Sequence, residues 1–173
     1  MAAGAGGHAG QLSPLALIGE IREWFDGPLL LSGAISTGQS ILAAQAMGAD
    51  LAYIGSSFIA TEEANAVEGY KRMITQSNAD DIVYSSLFTG VHGNYLKPSI
   101  ANAGMDPDNL PQSDPSAMDF SDKRNRPKSW KDIWGAGQGI GSVKELVSTQ
   151  ARVDQLYQEY VSARQNLWAK SHG

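Results

Sequence analysis

Two short apolar runs, each ended by a glycine and each followed by a helical segment, constrain the fold of this chain most. The first covers residues 29–31 and ends at Gly33, and the second covers residues 51–54 and ends at Gly55. Continuous apolar runs of this length are typical of strands that are buried on both faces. Because strands separated by helices form right-handed parallel βαβ units, the sequence predicts an α/β architecture.

The helices around these strands have their own start and stop signals. A Ser-Pro pair predicts a helix over residues 14–25, with Trp24 on its buried face. The next helix is predicted to begin near residue 36 or 37 and to stop at Gly48. A third helix is predicted to start at residues 61–63, where a threonine precedes two glutamates.

The second half of the chain carries weaker signals. Residues 82–88 are predicted to form one more extended segment. Residues 101–128 are rich in Pro, Asp, Ser and Asn, which predicts a long loop or cover segment. Ser142 and Glu145 have the spacing of a capping box, so a final helix is predicted to open there. That helix is expected to pack on the outside of the domain or against another subunit.

Composition excludes several classes of function. The 13 basic and 18 acidic residues give a net charge of -5, so nucleic acid and anionic membrane surfaces are not expected partners. The chain has no cysteine, which removes disulfides, zinc-thiolate sites and thiolate nucleophiles. Its three histidines lack metal-ligand spacing, so no metal site is predicted. Without a signal-like start or a bilayer-length apolar run, the chain is expected to be cytoplasmic.

The glycines that end the two predicted strands indicate a binding site. In parallel α/β folds, ligands lie at the carboxyl ends of the strands, and backbone N–H groups there can hold a phosphate. Free N–H groups around Gly33 and Ala34, and around Gly55 and Ser56, are expected to supply such a site without a basic side chain. The alternative is that both glycines merely end their strands, and the residues leave the two interpretations evenly matched.

Two further glycine-rich segments carry candidate chemistry. GAGGHAG, at residues 4–10, places His8 in a flexible loop, where an imidazole can move a proton near neutral pH. The alternative is that His8 is a histidine in an irregular terminal loop and has no role. Residue types alone favour this alternative. GAGQGIG, at residues 135–141, is only a loose match to a dinucleotide fingerprint, because no buried strand leads into it.

The segments AGGHAG, PLLLSGAISTGQSILAAQAMGADLAYIGSSFIATEEA and WGAGQGIG together resemble the nitronate monooxygenase, or 2-nitropropane dioxygenase, family. The resemblance implies a TIM-type (β/α) barrel that binds FMN without a metal. It implies that residues 1–100 form the last βα units of this barrel and residues 101–128 a loop or cover. Residues 129–173 would then form a flavin-proximal turn and the C-terminal helix.

The same resemblance implies roles for individual residues. His8 matches the active-site histidine, which would remove an α-proton from a nitroalkane or orient the nitronate. Ala34 stands where many relatives have a second glycine, and a methyl group at this position is tolerable if φ is negative. The positions expected to contact FMN are Gly6, Gly7, Ser32, Gly33, Ala34, Gly55, Ser56, Gly137 and Gln138.

The implied reaction is the oxidation of alkyl nitronates or nitroalkanes with O2, which yields a carbonyl compound and nitrite. A full barrel needs about 250 residues and eight strands, so the chain is expected to be an N-terminally truncated partial barrel. A partial barrel would have exposed strand edges. The chain is therefore expected to form a homo-oligomer, to aggregate or to bind flavin weakly. Two alternatives stay open: an NAD(P)H-dependent flavin reductase of the enoyl-thioester or quinone reductase type, and a non-catalytic barrel fragment.

Overall fold

The computed structural model describes residues 1–111 and 131–171. Within these described residues, two short 3-10 helices, Ala79–Asp81 and Gln138–Ser142, accompany the regular elements. In chain order the regular elements are β1 Gly7–His8, α1 Pro14–Arg22, β2 Leu30–Leu31, α2 Gly38–Ala46, β3 Leu51–Ala52, α3 Ser56–Ile59, α4 Glu68–Gln76, β4 Ile82–Ser85, β5 Gly93–Leu96, α5 Lys97–Asn102 and α6 Thr149–Ser171.

The unit β2–α2–β3 has the predicted parallel βαβ arrangement. Leu30 lies opposite Leu51, and Leu31 lies opposite Ala52, in a parallel pair. Both strands are shorter than the apolar runs that predicted them. The expectation that they are buried on both faces is wrong, because Leu30 is 51% exposed and Leu51 is 57% exposed. Side chains alternate across a strand, and only Leu31 points into a packed core.

A second sheet has the order β1–β5–β4 and is antiparallel throughout. The predicted extended segment 82–88 is confirmed only as far as Ser85. The chain then turns back and pairs with itself through β5, which sequence patterning did not identify. In the same sheet β5 also pairs with β1, so that His8 lies opposite Gly93.

The first and third helices differ from their predicted bounds. Helix α1 ends at Arg22, and Trp24 lies beyond it with 75% of its surface exposed, so its predicted place on the buried face is wrong. The third helix does not start at residues 61–63. Thr61 instead forms a bridge with Val147, the four-residue α3 precedes it, and α4 begins only at Glu68.

Helix α2 begins and ends as the sequence predicts. Thr37 is its N-cap, and a capping box joins Thr37 to Ser40. Gly48 follows the helix with a φ of +108°, a conformation that favours glycine.

The last helix starts later than its sequence pattern predicts. Ser142 lies in a 3-10 helix, and α6 begins only at Thr149. The cap comes from a distant carboxylate, because Glu63 accepts hydrogen bonds from the Thr149 N–H at 2.8 Å and from its hydroxyl at 2.9 Å. The bridge between Thr61 and Val147 holds the preceding residues extended. The predicted start at Ser142 and Glu145 is therefore wrong.

The predicted loop 101–128 lies only partly within the structure described. Its first two residues complete α5, which runs over Lys97–Asn102. Residues 112–130 lie outside the described ranges, so the prediction of a loop or cover is not tested there.

Helix α6 packs along α2. The approach is close at Gly38, where an added Cβ would collide with the Tyr160 backbone nitrogen. Leu156 is buried in this contact, whereas Val153 and Tyr157 stay exposed. Packing of α6 against another subunit stays a prediction. Within residues 1–111 and 131–171, no helix combines the length and apolar character needed to cross a membrane.

Candidate functional site

A cavity of about 350 Å³ lies at the carboxyl ends of β2 and β3. Four backbone segments converge on it, at residues 4–8, 32–36, 53–59 and 135–140, and Tyr70 closes one side. The segments are far apart in sequence, and the parallel pairing of β2 with β3 brings two of them side by side. This volume lies within the range of small-molecule sites, which is about 300–1,000 Å³.

The cavity brings together most of the residues that the sequence predicted for a site. Gln138 is the exception, because it is not among the residues that line the cavity. Its N–H donates to the Gly4 carbonyl at 2.9 Å, and a Cβ added to Gly4 would lie 2.9 Å from its Oε1. The predicted residues that do line the cavity are Gly6, Gly7, His8, Ser32, Gly33, Ala34, Gly55, Ser56 and Gly137.

The loop after β2 is tied to the N-terminal segment. Gly33 has a φ of +153°, and an added Cβ would lie 2.7 Å from the Ala3 carbonyl oxygen. Ala34 has a φ of +54°, so the condition of a negative φ, under which its methyl group would be tolerated, is not met. Its N–H donates to the Gly4 carbonyl at 3.2 Å. The sequence analysis expected this N–H to be free for a ligand, but it is already used. Both residues are therefore engaged in holding the chain start against β2.

The loop after β3 is arranged differently. Gly55 has a φ of -113°, and an added Cβ would have no heavy atom within 4 Å. Neither backbone conformation nor packing requires glycine there, although Gly55 lines the cavity. The neighbouring Ser56 hydroxyl accepts a hydrogen bond from the Gly137 N–H at 2.9 Å. A hydroxyl that accepts one hydrogen bond can still donate a hydrogen bond to a bound anion.

The glycine-rich turn at residues 135–141 forms the third wall. A Cβ added to Gly139 would lie 2.6 Å from the Ala34 carbonyl oxygen, so this turn packs backbone against backbone. The Ser36 hydroxyl donates to the Gly139 carbonyl at 2.6 Å. Sequence reasoning missed Ser36 and Gly139, because their contact joins segments that are remote along the chain.

His8 lies on β1 and faces the cavity from the antiparallel sheet. Its Nε2 atom lies 2.8 Å from the Thr89 hydroxyl oxygen, in the turn that joins β4 to β5. Nothing in the sequence pattern singled out Thr89. The contact depends on the pairing of β1 with β5, which brings the turn beside His8.

Tyr70 is another residue that lines the cavity and that the sequence analysis did not identify as part of a site. Its hydroxyl donates a short hydrogen bond to the Gly135 carbonyl, and its ring stacks on Trp134 with 5.0 Å between centroids. Burial raises the pKa of Tyr70 to about 12. The phenol therefore stays protonated at neutral pH and keeps its donor role.

The cavity wall offers hydrogen-bond donors and little formal charge. Among the residues described as lining it, none is Lys, Arg, Asp or Glu. Within the described parts of the chain, no three His, Asp or Glu side chains come together in a way that could hold a metal ion. An anionic group bound here would have to be held by backbone N–H groups and hydroxyls, as happens in phosphate sites of parallel α/β folds.

The sequence matches a family model over most of its length. The model describes nitronate monooxygenase, and it matches residues 2–159. The chain belongs to the nitronate monooxygenase family. Membership confirms the resemblance carried by the AGGHAG, strand-glycine and WGAGQGIG segments.

Individual relatives agree with this assignment. A probable nitronate monooxygenase of Bacillus subtilis is 29% identical over 170 residues, a match that covers 90% of this chain and 49% of the relative. A nitroalkane oxidase structure from Streptomyces ansochromogenes is 25% identical with a TM-score of 0.68, covering 96% of this chain and 52% of that one. The chain thus spans about half the length of the curated relatives it matches.

Solved structures also define the fold class. FabK from Thermotoga maritima superposes with a TM-score of 0.74 at 19% identity, covering 98% of this chain and 56% of that one. This likeness shows the fold alone. These neighbours are TIM-type barrels, so the α/β part described here corresponds to part of such a barrel.

Proposed function

We propose that this chain forms the phosphate-binding part of an FMN-dependent nitronate monooxygenase, which oxidises alkyl nitronates or nitroalkanes with O2. Family membership supports the reaction class, and the Streptomyces neighbour is named as a nitroalkane oxidase. Gly55 carries the cofactor part of the proposal. It is a glycine on the cavity wall that neither its φ nor its packing requires, so the space beyond it is best explained by a ligand.

The residues present fit a flavin mononucleotide. The FMN phosphate would lie beside Gly55 and accept a hydrogen bond from the Ser56 hydroxyl. The flat ring system would lie against the backbone of Gly6, Gly7 and Gly137, which line the same cavity. Ser32 and Gly33 line the same cavity and would contact the flavin edge, with the Ala34 methyl group beside them.

The chemistry is divided between cofactor and protein. When bound, FMN would supply the redox chemistry of the reaction, with O2 as the second reactant. His8 would take the α-proton of a neutral nitroalkane at one of its ring nitrogens, or place a protonated ring beside the negative charge of a nitronate. Hydrogen bonds around Gly4, Ala34 and Gln138 hold the walls in place, so that the substrate carbon can be presented to the flavin.

The proposal also covers the substrate, the partners, the location and the oligomeric state expected from the sequence. The substrate is a small molecule, and O2 is the second reactant. The net charge of -5 gives no reason to expect nucleic acid or anionic membranes as partners. A cytoplasmic location and a homo-oligomer stay predictions, as does the truncated form of the barrel.

The visible absorption spectrum, measured after incubation with FMN and desalting, tests the proposal. A retained flavin spectrum followed by O2 consumption with alkyl nitronates is the expected result. A colourless folded protein would contradict it and favour a non-catalytic fragment. Bleaching of the bound flavin by NADH under anaerobic conditions would instead favour a reductase.

His8→Ala tests the proposed base. The rate with neutral nitroalkanes is expected to fall about 100-fold or more, whereas the rate with preformed nitronates falls much less. Glu20→Ala is the control, because Glu20 is exposed on α1 and is not among the residues that line the cavity. Equal losses with both substrates in the His8 variant would rule out the base assignment.

A further inference from the structure

The hairpin formed by β4 and β5 holds the His8 segment through several independent contacts. The Ala9 N–H donates to the His92 carbonyl at 3.2 Å, and the Tyr84 hydroxyl donates to the Ala9 carbonyl at 2.8 Å. His8 itself lies opposite Gly93 in the β1–β5 pair. The residue that follows His8 therefore has both backbone polar groups tied to one hairpin.

Gly93 allows this close approach. An added Cβ would lie 2.7 Å from the Gly7 carbonyl oxygen and 3.1 Å from the His8 nitrogen. The distance of 2.7 Å is shorter than real Cβ contacts, so glycine is required for β5 to sit against β1. The hairpin and the His8 segment thus form one packed unit.

The Thr89 hydroxyl reaches His8 from the tip of this hairpin. A threonine hydroxyl has one proton to donate and two lone pairs to accept with. The Thr89 hydroxyl donates to the Val91 carbonyl at 3.0 Å and accepts from the Val91 N–H at 3.4 Å. Its remaining contact is with His8 Nε2 at 2.8 Å. Because the one proton is directed to Val91, the bond to His8 needs a proton on Nε2.

We propose that Thr89 is a positioning residue for His8, and that its hydroxyl accepts a hydrogen bond from Nε2–H. This bond fixes the plane of the ring and keeps the neutral imidazole protonated at Nε2. In the neutral ring the lone pair then lies on Nδ1. The use of Nδ1 as a base rests on the proposed function, whereas the hydrogen bond to Thr89 does not.

Nitrogen-15 NMR of the histidine rings in the full chain tests this assignment without FMN or substrate. In the neutral form, Nε2 of His8 is expected to be protonated, with its proton protected from exchange with water. Thr89→Val keeps the shape of the side chain but removes the acceptor, and should accelerate that exchange about tenfold. Thr89→Ser restores the hydroxyl and should restore the protection.

Thr75→Val is the matched control, because the Thr75 hydroxyl donates to the Arg72 carbonyl on the exposed face of α4. It should leave the His8 signals unchanged. A neutral His8 with an unprotonated Nε2 in the wild-type chain would overturn the proposal. Unchanged proton exchange in a folded Thr89→Val variant would overturn it too. If Thr89→Val does not fold, the spectra of the wild-type and Thr89→Ser chains show whether Nε2 of His8 carries the proton.

This experiment separates the inference from the proposed function. A chain that fails to bind FMN but keeps a Thr89-dependent Nε2 proton would contradict only the proposed function. A chain that binds FMN and turns over nitronates with Nε2 unprotonated would contradict only the inference.

Discussion

The loops after β2 and β3 both place a glycine at the end of a parallel strand, but the two glycines serve different purposes. At Gly33, positive φ and a backbone neighbour 2.7 Å from an added Cβ require glycine for the fold. At Gly55, φ is negative and an added Cβ would meet open space. The first loop is structural, and the second keeps the cavity open.

The difference changes where the phosphate is expected. The N–H of Ala34 already donates to the Gly4 carbonyl, so the β2 loop has one donor fewer for a ligand than the sequence predicts. The β3 loop combines Gly55 with the Ser56 hydroxyl, whose proton can still be donated. We therefore propose that the phosphate would lie on the β3 side of the cavity.

Gly33→Val should produce the largest effect. The added side chain collides with the Ala3 carbonyl and must adopt a positive φ, which should lower the free energy of unfolding by about 3 kcal/mol. Urea denaturation followed by circular dichroism measures this loss. Gly55→Val should stay within about 0.5 kcal/mol of the wild type. Equal losses in the two variants would remove the distinction between the loops.

Gly55→Val should instead weaken FMN binding. Its side chain would occupy the space assigned to the phosphate, and the dissociation constant should rise at least about tenfold, or ~1.4 kcal/mol. Flavin fluorescence quenching measures the affinity. Gly19→Val is the matched control, since Gly19 also faces open space but lies on α1, away from the cavity. Similar losses in both variants would argue against the site.

Ala34→Gly should stabilise the β2 loop. The alanine has a φ of +54°, and relief of that strain should raise the free energy of unfolding by about 1 kcal/mol. The same substitution at the exposed Ala43 in α2 should have the opposite sign and cost about 1 kcal/mol. Thermal denaturation of both variants checks this. A destabilised Ala34→Gly variant would show that the conformation is not strained.

Ser56→Ala should have a smaller effect on stability than Ala34→Gly. It removes the acceptor of the Gly137 N–H and should cost about 0.5 kcal/mol, measured by urea denaturation. Ser56→Thr keeps the hydroxyl and should preserve both stability and FMN affinity. An alanine variant with unchanged FMN affinity would remove Ser56 from the phosphate contacts.

The β2–α2–β3 unit could be predicted because its signals are local. Apolar runs mark the strands, and the α2 boundaries follow from a cap at Thr37 and a glycine at position 48. Most residues of the predicted site also meet at the cavity, because parallel strands bring their carboxyl ends together.

What could not be predicted depends on contacts between distant segments. The start of α6 is set by Glu63 and by the bridge between Thr61 and Val147, which override the local pattern near residue 142. Ala34 has a positive φ in a loop whose N–H is hydrogen-bonded to the distant Gly4 carbonyl. Thr89 reaches His8 only through a hairpin that strand periodicity did not reveal.

Comparison of FMN with riboflavin is the most direct test of the central claim that the β3 loop holds a flavin phosphate. The two ligands share the ring system and differ by the phosphate. Fluorescence titration of the wild-type chain should give an FMN affinity at least about tenfold higher than that for riboflavin, and Gly55→Val should abolish this difference. Equal affinities for the two ligands in the wild-type chain would contradict the account.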